Sequence, residues 1–207
     1  MVEALDFDKM KKEIADRDYY CKEQLVCVLM ARYSISEIEK VINDNYFYWD
    51  RNSGKGLDIY LPGYGEYICP DVLKKGQIIL KFDSNDTRVY FDGEAFILFK
   101  DELSNKIEKF KYKDRMQMLI FNCNDNRLDF KDVVEIDFSV DSKKYGFENI
   151  NEFMEEIVIY AKKYTKTKEL VDELRKKRIK YLILNNTSKV VGAIGKAVVS
   201  AIKGSVI

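Results

Sequence analysis

Any acid–base or metal chemistry in this chain must work without histidine, because none occurs among its 207 residues. The commonest general base, proton shuttle and metal ligand is removed at one stroke, which excludes Ser-His-Asp and Cys-His arrangements and His-based zinc sites. Chemistry would fall to a carboxylate, Lys, Tyr or Cys. The cysteines at 21, 27, 69 and 123 stand apart with no CxxC pair, so neither a zinc ribbon nor a dithiol redox centre is supported. They read as free thiols of a reducing compartment, with Cys27 and Cys123 in apolar runs as core residues. No cofactor or metal is implied.

The densest group of functional residue types is the stretch 48–65, YWDRNSGKGLDIYLPGYG. A phosphate-cradling loop needs a glycine upstream of its Gly-Lys pair, Ser or Thr after the Lys, and a strand-to-helix context. Gly54-Lys55 lacks that glycine, is followed by Gly56, and comes between an expected helix and an expected strand, so it is excluded. A helix stop, a glycine turn and a strand ending at a crevice account for the residue types. The candidate ligand site consists of Trp49, Arg51, Lys55, Asp58, Tyr60 and Tyr64. Asp58 and Tyr60 alternate with Leu57, Ile59 and Leu61 and so share a strand face, which Arg51 or Lys55 could turn into an anion site. Carboxylates at acid–base spacing and a nucleophile accompanied by a base are both missing, so enzymatic activity is not what these residues favour.

The second group lies at the C-terminus. Arg175, Lys176, Lys177 and Arg178, with Lys180, form the one dense basic run, which reads as a solvated helix face or as a contact for acidic partners or lipid. Residues 189–207, KVVGAIGKAVVSAIKGSVI, contain no acid and no aromatic residue. Their lysines, Lys189, Lys196 and Lys203, recur every seven residues. On a helix these fall in a narrow arc, opposite Val191, Ile194, Val198 and Ile202. Small residues also recur at four-residue spacing, and Gly192, Gly195 and Gly204 each cost about 1 kcal/mol of helix propensity in water. Three readings stay open: a helix docked on its own domain or in a dimer interface, a cationic amphipathic helix at a membrane surface, or a disordered tail. A conventional transmembrane span is disfavoured by the lysines inside it.

Periodicity supplies the elements that must position these groups. Apolar Phe7, Met10 and Ile14 predict a short opening helix, and the run 24–31 predicts a strand covered on both faces, at the centre of a sheet. Ser34 and Ser36 offer caps for a helix over 35–49, followed by a strand over 57–61 in a parallel pair with the first. Residues 77–82 and 87–91 read as an inserted hairpin around 84–86, and a helix with a broad apolar face follows, carrying Phe96, Ile97, Leu98, Phe99, Leu103 and Ile107. Strands at 116–122 and 133–140 are expected as antiparallel neighbours across too many residues for a tight loop. A third helix covers 151–164.

That order, β-α-β, an inserted hairpin, then α-β-β-α, resembles the thioredoxin-like fold over residues 24–164. The resemblance implies an α/β architecture with a mixed sheet. Where thioredoxins carry CxxC, this chain reads Ser34-Ile35-Ser36-Glu37, so redox activity is not implied. The fragment FYWDRNSGK with its following aromatic strand also resembles stretches of uncharacterised bacterial proteins. The expected organisation is an α/β core over 1–165 and a helical C-terminal extension with the cationic tail over 166–207.

Lys+Arg and Asp+Glu both number 35, so no global basic excess points to nucleic acid. The N-terminus has no continuous apolar run of the signal-peptide type, and the expectation is a cytoplasmic protein, peripheral to the inner membrane face if the tail binds lipid. These features favour a non-enzymatic interaction or effector protein, of the kind expected in a bacterial toxin or defence system. Its C-terminal helix would mediate self-association, binding to a protein partner, or membrane contact. The alternative is a small-ligand-binding protein or enzyme using the crevice near residues 49–64.

Overall fold

The computed structural model describes residues 2–16, 23–53, 57–82, 88–138, 150–177, 179 and 181–184. Within them the chain forms an α/β fold with five α-helices, a mixed six-stranded sheet and a three-stranded sheet. Strand β1 (Val2–Ala4) precedes α1 (Phe7–Ala15), β2 (Glu23–Met30), α2 (Ser36–Asn52) and β3 (Leu57–Pro62). After the inserted sheet come α3 (Gly93–Lys106), β7 (Gln117–Asn124), β8 (Arg127–Asp137), α4 (Ile150–Lys163), α5 (Thr167–Lys176) and β9 (Leu182–Leu184). The large sheet has the order β1-β3-β2-β7-β8-β9. Strands β1, β3 and β2 are parallel, and β7, β8 and β9 join antiparallel.

The continuous apolar run of β2 explains its place. From Leu25 to Met30 every side chain is buried, as in a strand flanked by neighbours on both edges and covered on both faces. Cys27 and Cys123 are among the buried residues, as expected.

Registry separates the two faces. Ile59, Cys27, Ile120, Val134 and Ile183 are partners in one row across five strands and therefore share a face. Helices α2 and α4 lie on that side, with α5 beside α4 and over β7 and β8. One residue along, Asp58, Val26 and Phe121 point to the opposite side. There Phe7 of α1 meets Phe99 of α3 at 5.3 Å between ring centroids, and Phe130 meets Phe121 at 5.6 Å.

Strands β4 (Tyr64–Glu66), β5 (Ile78–Ile79) and β6 (Val89–Phe91) make the inserted sheet, in the order β4-β6-β5, with a 3-10 turn at Pro70–Val72. The expected hairpin is present between β5 and β6, shorter than the sequence suggested and enlarged by β4. Gly63 makes the hand-over from β3 possible. Its φ is +78°, and a Cβ there would lie 2.7 Å from the Phe96 Cβ and 2.9 Å from the Asp92 carbonyl oxygen. Its N–H donates to Ala4 O at 3.0 Å and its carbonyl accepts from Asp92 N at 2.8 Å, which ties β1, β3 and the start of α3 together.

Several local expectations need correction. The N-cap of α2 is Ile35, without a side-chain cap bond, and Ser36 Oγ instead donates to Glu37. The connection between β7 and β8 is a two-residue turn. Asp125 and Asn126 have φ of 51° and 57° between the paired Asn124 and Arg127, the left-handed pair of a type I′ hairpin turn. The apolar face of α3 is narrower than expected: Phe96, Phe99 and Leu103 are buried, whereas Leu98 is 67% exposed and Ile97 faces solvent too. The expected boundary at 165 falls between α4 and α5. Beyond it, α5 buries Leu170, Val171 and Leu174, and β9 pairs with β8, so the run 170–184 is a helix and then a strand on the same sheet. Lys55 and every candidate residue of the tail, from Lys189 to Lys203, lie outside the described residues.

Candidate functional site

The described residues among those proposed around positions 49–64 do not converge. Helix α2 places Trp49 on the side of Ile59, where it is buried and its indole Nε1 donates to Asn151 Oδ1 of α4 at 2.9 Å. Asp58 and Tyr60 flank Ile59 in sequence, so the strand's alternation sends both to the opposite, α1/α3 face. Tyr60 is fully covered there. Arg51 is exposed near the end of α2. Thus Trp49 and the Asp58/Tyr60 pair are separated by the thickness of the sheet.

Tyr64 lies where a crevice was expected, but it fills the space. Its hydroxyl donates to Ala31 O at 2.8 Å, at the carboxyl end of β2, and burial pushes its pKa well up. Its ring contacts Tyr33 and Phe91 edge-on, and Phe91 passes the contact to Phe96 and Tyr112. Aromatic packing therefore occupies the strand ends next to Gly63.

At the same end of the sheet stands a charge network that the sequence reading missed. Lys113 Nζ reaches Glu135 Oε1 at 3.1 Å and Asp137 Oδ2 at 3.2 Å, and Arg115 Nε reaches Asp137 Oδ2 at 3.3 Å. Gln117 Nε2 donates to Glu135 Oε1 at 2.7 Å, and Gln117 Oε1 accepts from Lys113 N. Asp114, with φ of 51°, pairs with Arg32 just past β2. Burial alone would depress the Lys113 pKa, but the hydrogen bonds and charges of Glu135 and Asp137 outweigh it and hold it above its ordinary value. Two carboxylates and two cations neutralise one another here, so the network fixes the entry to β7. The signal was available: Glu135 and Asp137 alternate on β8 and must share a face.

The described cations of the basic run are similarly occupied. Arg175 pairs with Asp172, Lys176 with Glu173 and Lys177 with Glu156, at 2.8 to 3.3 Å. The cations of these pairs are exposed, so the pairs contribute little stability, but they reduce the local positive potential.

The outer surface of α2 and α4 is one of several places where apolar side chains reach solvent, Ile68, Val72 and Leu98 being others. Between the two helices a shallow depression has Trp49, Ile59, Met154 and Val158 in its walls and floor, with Tyr48, Asn52 and Glu155 around it. Asp44, Tyr48 and Asn52 follow one line of α2, while Glu152, Glu155 and Ile159 follow one line of α4. Tyr48 is 39% exposed and Ile159 60% exposed, so apolar area continues from the depression onto the rim. Helix α2 carries four carboxylates against two cations and α4 three against two, with Glu156 of α4 paired with Lys177.

Comparison with models of protein families, with curated proteins and with solved structures found no match to this chain. Among the described residues, no helix is long and apolar enough to cross a membrane.

Proposed function

We propose that this chain is a non-enzymatic interaction protein on a thioredoxin-like scaffold, acting through its C-terminal segment by self-association or by contact with a membrane surface. Parallel β2 and β3 joined by α2, followed through α3 by antiparallel β7 and β8 and then α4, support the thioredoxin-like part of the reading. Position 34–37 has no thiol, which argues for a scaffold used for binding instead of dithiol exchange.

The observation that carries the functional part is the contrast between the body and residues 185–207. Arg175, Lys176 and Lys177 of the body pair with its own acids, whereas the last segment holds three lysines, no acid, and an apolar arc of Val191, Ile194, Val198 and Ile202. A helix with that pattern gains order only by covering its apolar side. An effector that presents such a segment to a partner, as in a toxin or defence system, is the corresponding biological role.

The test compares full-length protein with the Ile194→Asp/Val198→Asp variant in two assays, sedimentation equilibrium and co-sedimentation with vesicles of anionic and neutral lipid. The reading expects at least one association, with itself or with vesicles, to be weakened tenfold or more by the substitutions. A wild-type chain that is monomeric and vesicle-indifferent would overturn it.

A further inference from the structure

We infer that residues 68–77 form a strap across the inserted sheet, which opens as a unit while the rest of the fold stays closed and thereby uncovers Tyr90. The strap belongs to the body of the protein and is independent of the role proposed for the C-terminal segment.

Topology makes the strap. Strands β4 and β5 flank β6 and both run antiparallel to it. The chain therefore leaves β4 at the end of β6 that carries Arg88 and must return to the end that carries Asp92, crossing β6 on one of its faces. Phe91 and Tyr64 share the inner face, where their rings pack against Tyr33 and Phe96. Ile79, Tyr90 and Gly65 form a row on the other face. The crossing is on that outer side, and Tyr90 is only 9% exposed although it faces away from the core. Gly65 lets the Tyr90 ring close on β4, since a Cβ there would lie 2.7 Å from it.

What holds the strap is unlike what holds the sheet. No residue from Glu66 to Ile79 is buried, and Ile68 and Val72 are 82% and 64% exposed. Among the described residues, two side-chain hydrogen bonds tie the strap to the sheet, one near each end. Arg88 donates to Ile68 O, and Gln77 Nε2 donates to Asp92 Oδ2 at 2.8 Å. Lys74 adds a favourable charge toward Asp92. The other bonds of the strap are internal, from Val72 N to Cys69 O, Leu73 N to Pro70 O, Gln77 N to Lys74 O and Lys74 N to Gln77 Oε1. A segment with no buried side chain and so few outside bonds lies at the low end of local stability. Asp92 belongs to the closed part. Its Oδ1 accepts from the N–H groups of Glu94 and Ala95 at the start of α3, and its own N–H donates to Gly63 O. Losing the Gln77 bond therefore frees the strap and leaves the α3 cap in place.

The experiment follows full-length protein by hydrogen exchange, by nitration of Tyr90 with tetranitromethane, and by trypsin cleavage after Lys74 and Lys75, both exposed at the middle of the strap. Two variants loosen the strap by different causes. Gln77→Ala removes the clasp, and Gly76→Ala places a side chain on a backbone with φ of +99°, where the added Cβ meets no other atom. Both are expected to speed cleavage by about fivefold or more, the size of one net hydrogen bond. Nitration of Tyr90 should quicken alongside, with the exchange of β2 and β7 amides and the urea midpoint unchanged. Cleavage and nitration that stay at the wild-type rate in both variants would overturn the strap. So would cleavage that rises only together with β2 and β7 exchange, because the opening would then be global unfolding. Faster cleavage without faster nitration would overturn the covering of Tyr90.

Discussion

On the α1/α3 side of the sheet, ring meets ring from Phe99 through Phe7 to Phe130 and Phe121, and Lys106 lies over two of those rings. On the α2/α4 side, two helices meet over Ile59 through the Trp49–Asn151 bond, with Tyr48 and Ile159 left toward solvent. The first side is closed by large rings and, at its carboxyl end, by mutually satisfied charges. The second is held by separate ring contacts, Phe138 with Phe153 of α4 and Tyr46 of α2 with Phe47 and Phe82, together with the Trp49–Asn151 bond. A continuous ring cluster thus anchors the first side, whereas the second depends on separate contacts, and both leave apolar side chains toward solvent, Leu98 on the first and Ile159 on the second.

Truncating Phe99 to Ala should do the greatest damage, because its fully buried ring anchors α3 against α1. A loss of about 3–5 kcal/mol is expected, measured by urea denaturation. A loss below about 1 kcal/mol would contradict the assignment of this face as the rigid one.

Replacing Lys113 by Met leaves Glu135 and Asp137 with fewer partners and should cost about 1–2 kcal/mol, reduced from the value of a fully buried pair because the ammonium is partly exposed. The pair also has a pH signature. Since the folded-state pKa of Lys113 is raised, its contribution is complete below the unfolded value near 10.5 and is lost as pH rises through the higher folded value. Wild type should therefore lose stability in that alkaline range by more than Lys113→Met does, as denaturation midpoints across the range would reveal.

The smallest effect belongs to the α2/α4 side. Trp49→Phe removes the hydrogen bond to Asn151 but keeps most of the ring's burial, for an expected cost of about 1 kcal/mol. Thermal denaturation with a fluorescence probe other than tryptophan checks it. A cost approaching that of Phe99→Ala would erase the distinction between the faces.

The elements with strong period or continuous apolar character were legible in the sequence: β2, α2, β3, α3 and the β5/β6 hairpin. Those that failed did so for identifiable reasons. Strand β1 has three residues, too few to show alternation, and is held by its parallel partner β3. The start of β8, Arg127 to Lys131, alternates Leu128 and Phe130 with charged residues, but the stronger apolar run at Val133-Val134 set the expected strand start downstream, which hid the tight turn at Asp125-Asn126. The apolar end of 170–184 suits helix or strand equally, and only the open edge of β8 selects a strand. The site was less legible still. Alternation correctly placed Asp58 and Tyr60 on one face, but the residues themselves do not say that Trp49 of α2 covers the other. That depends on which helices pack on which side.

The neighbours of β2 also set a timetable for synthesis. Its partner β3 follows within about 30 residues, but β7 is made roughly 90 residues after it, so one edge of the most apolar strand waits for that much more chain. At ordinary translation speeds the wait is about 5–20 s. A nascent chain halted before residue 124 can hold β2 against β3 only, and the pulling force that accompanies cotranslational folding should rise only after β7 has left the ribosomal exit tunnel.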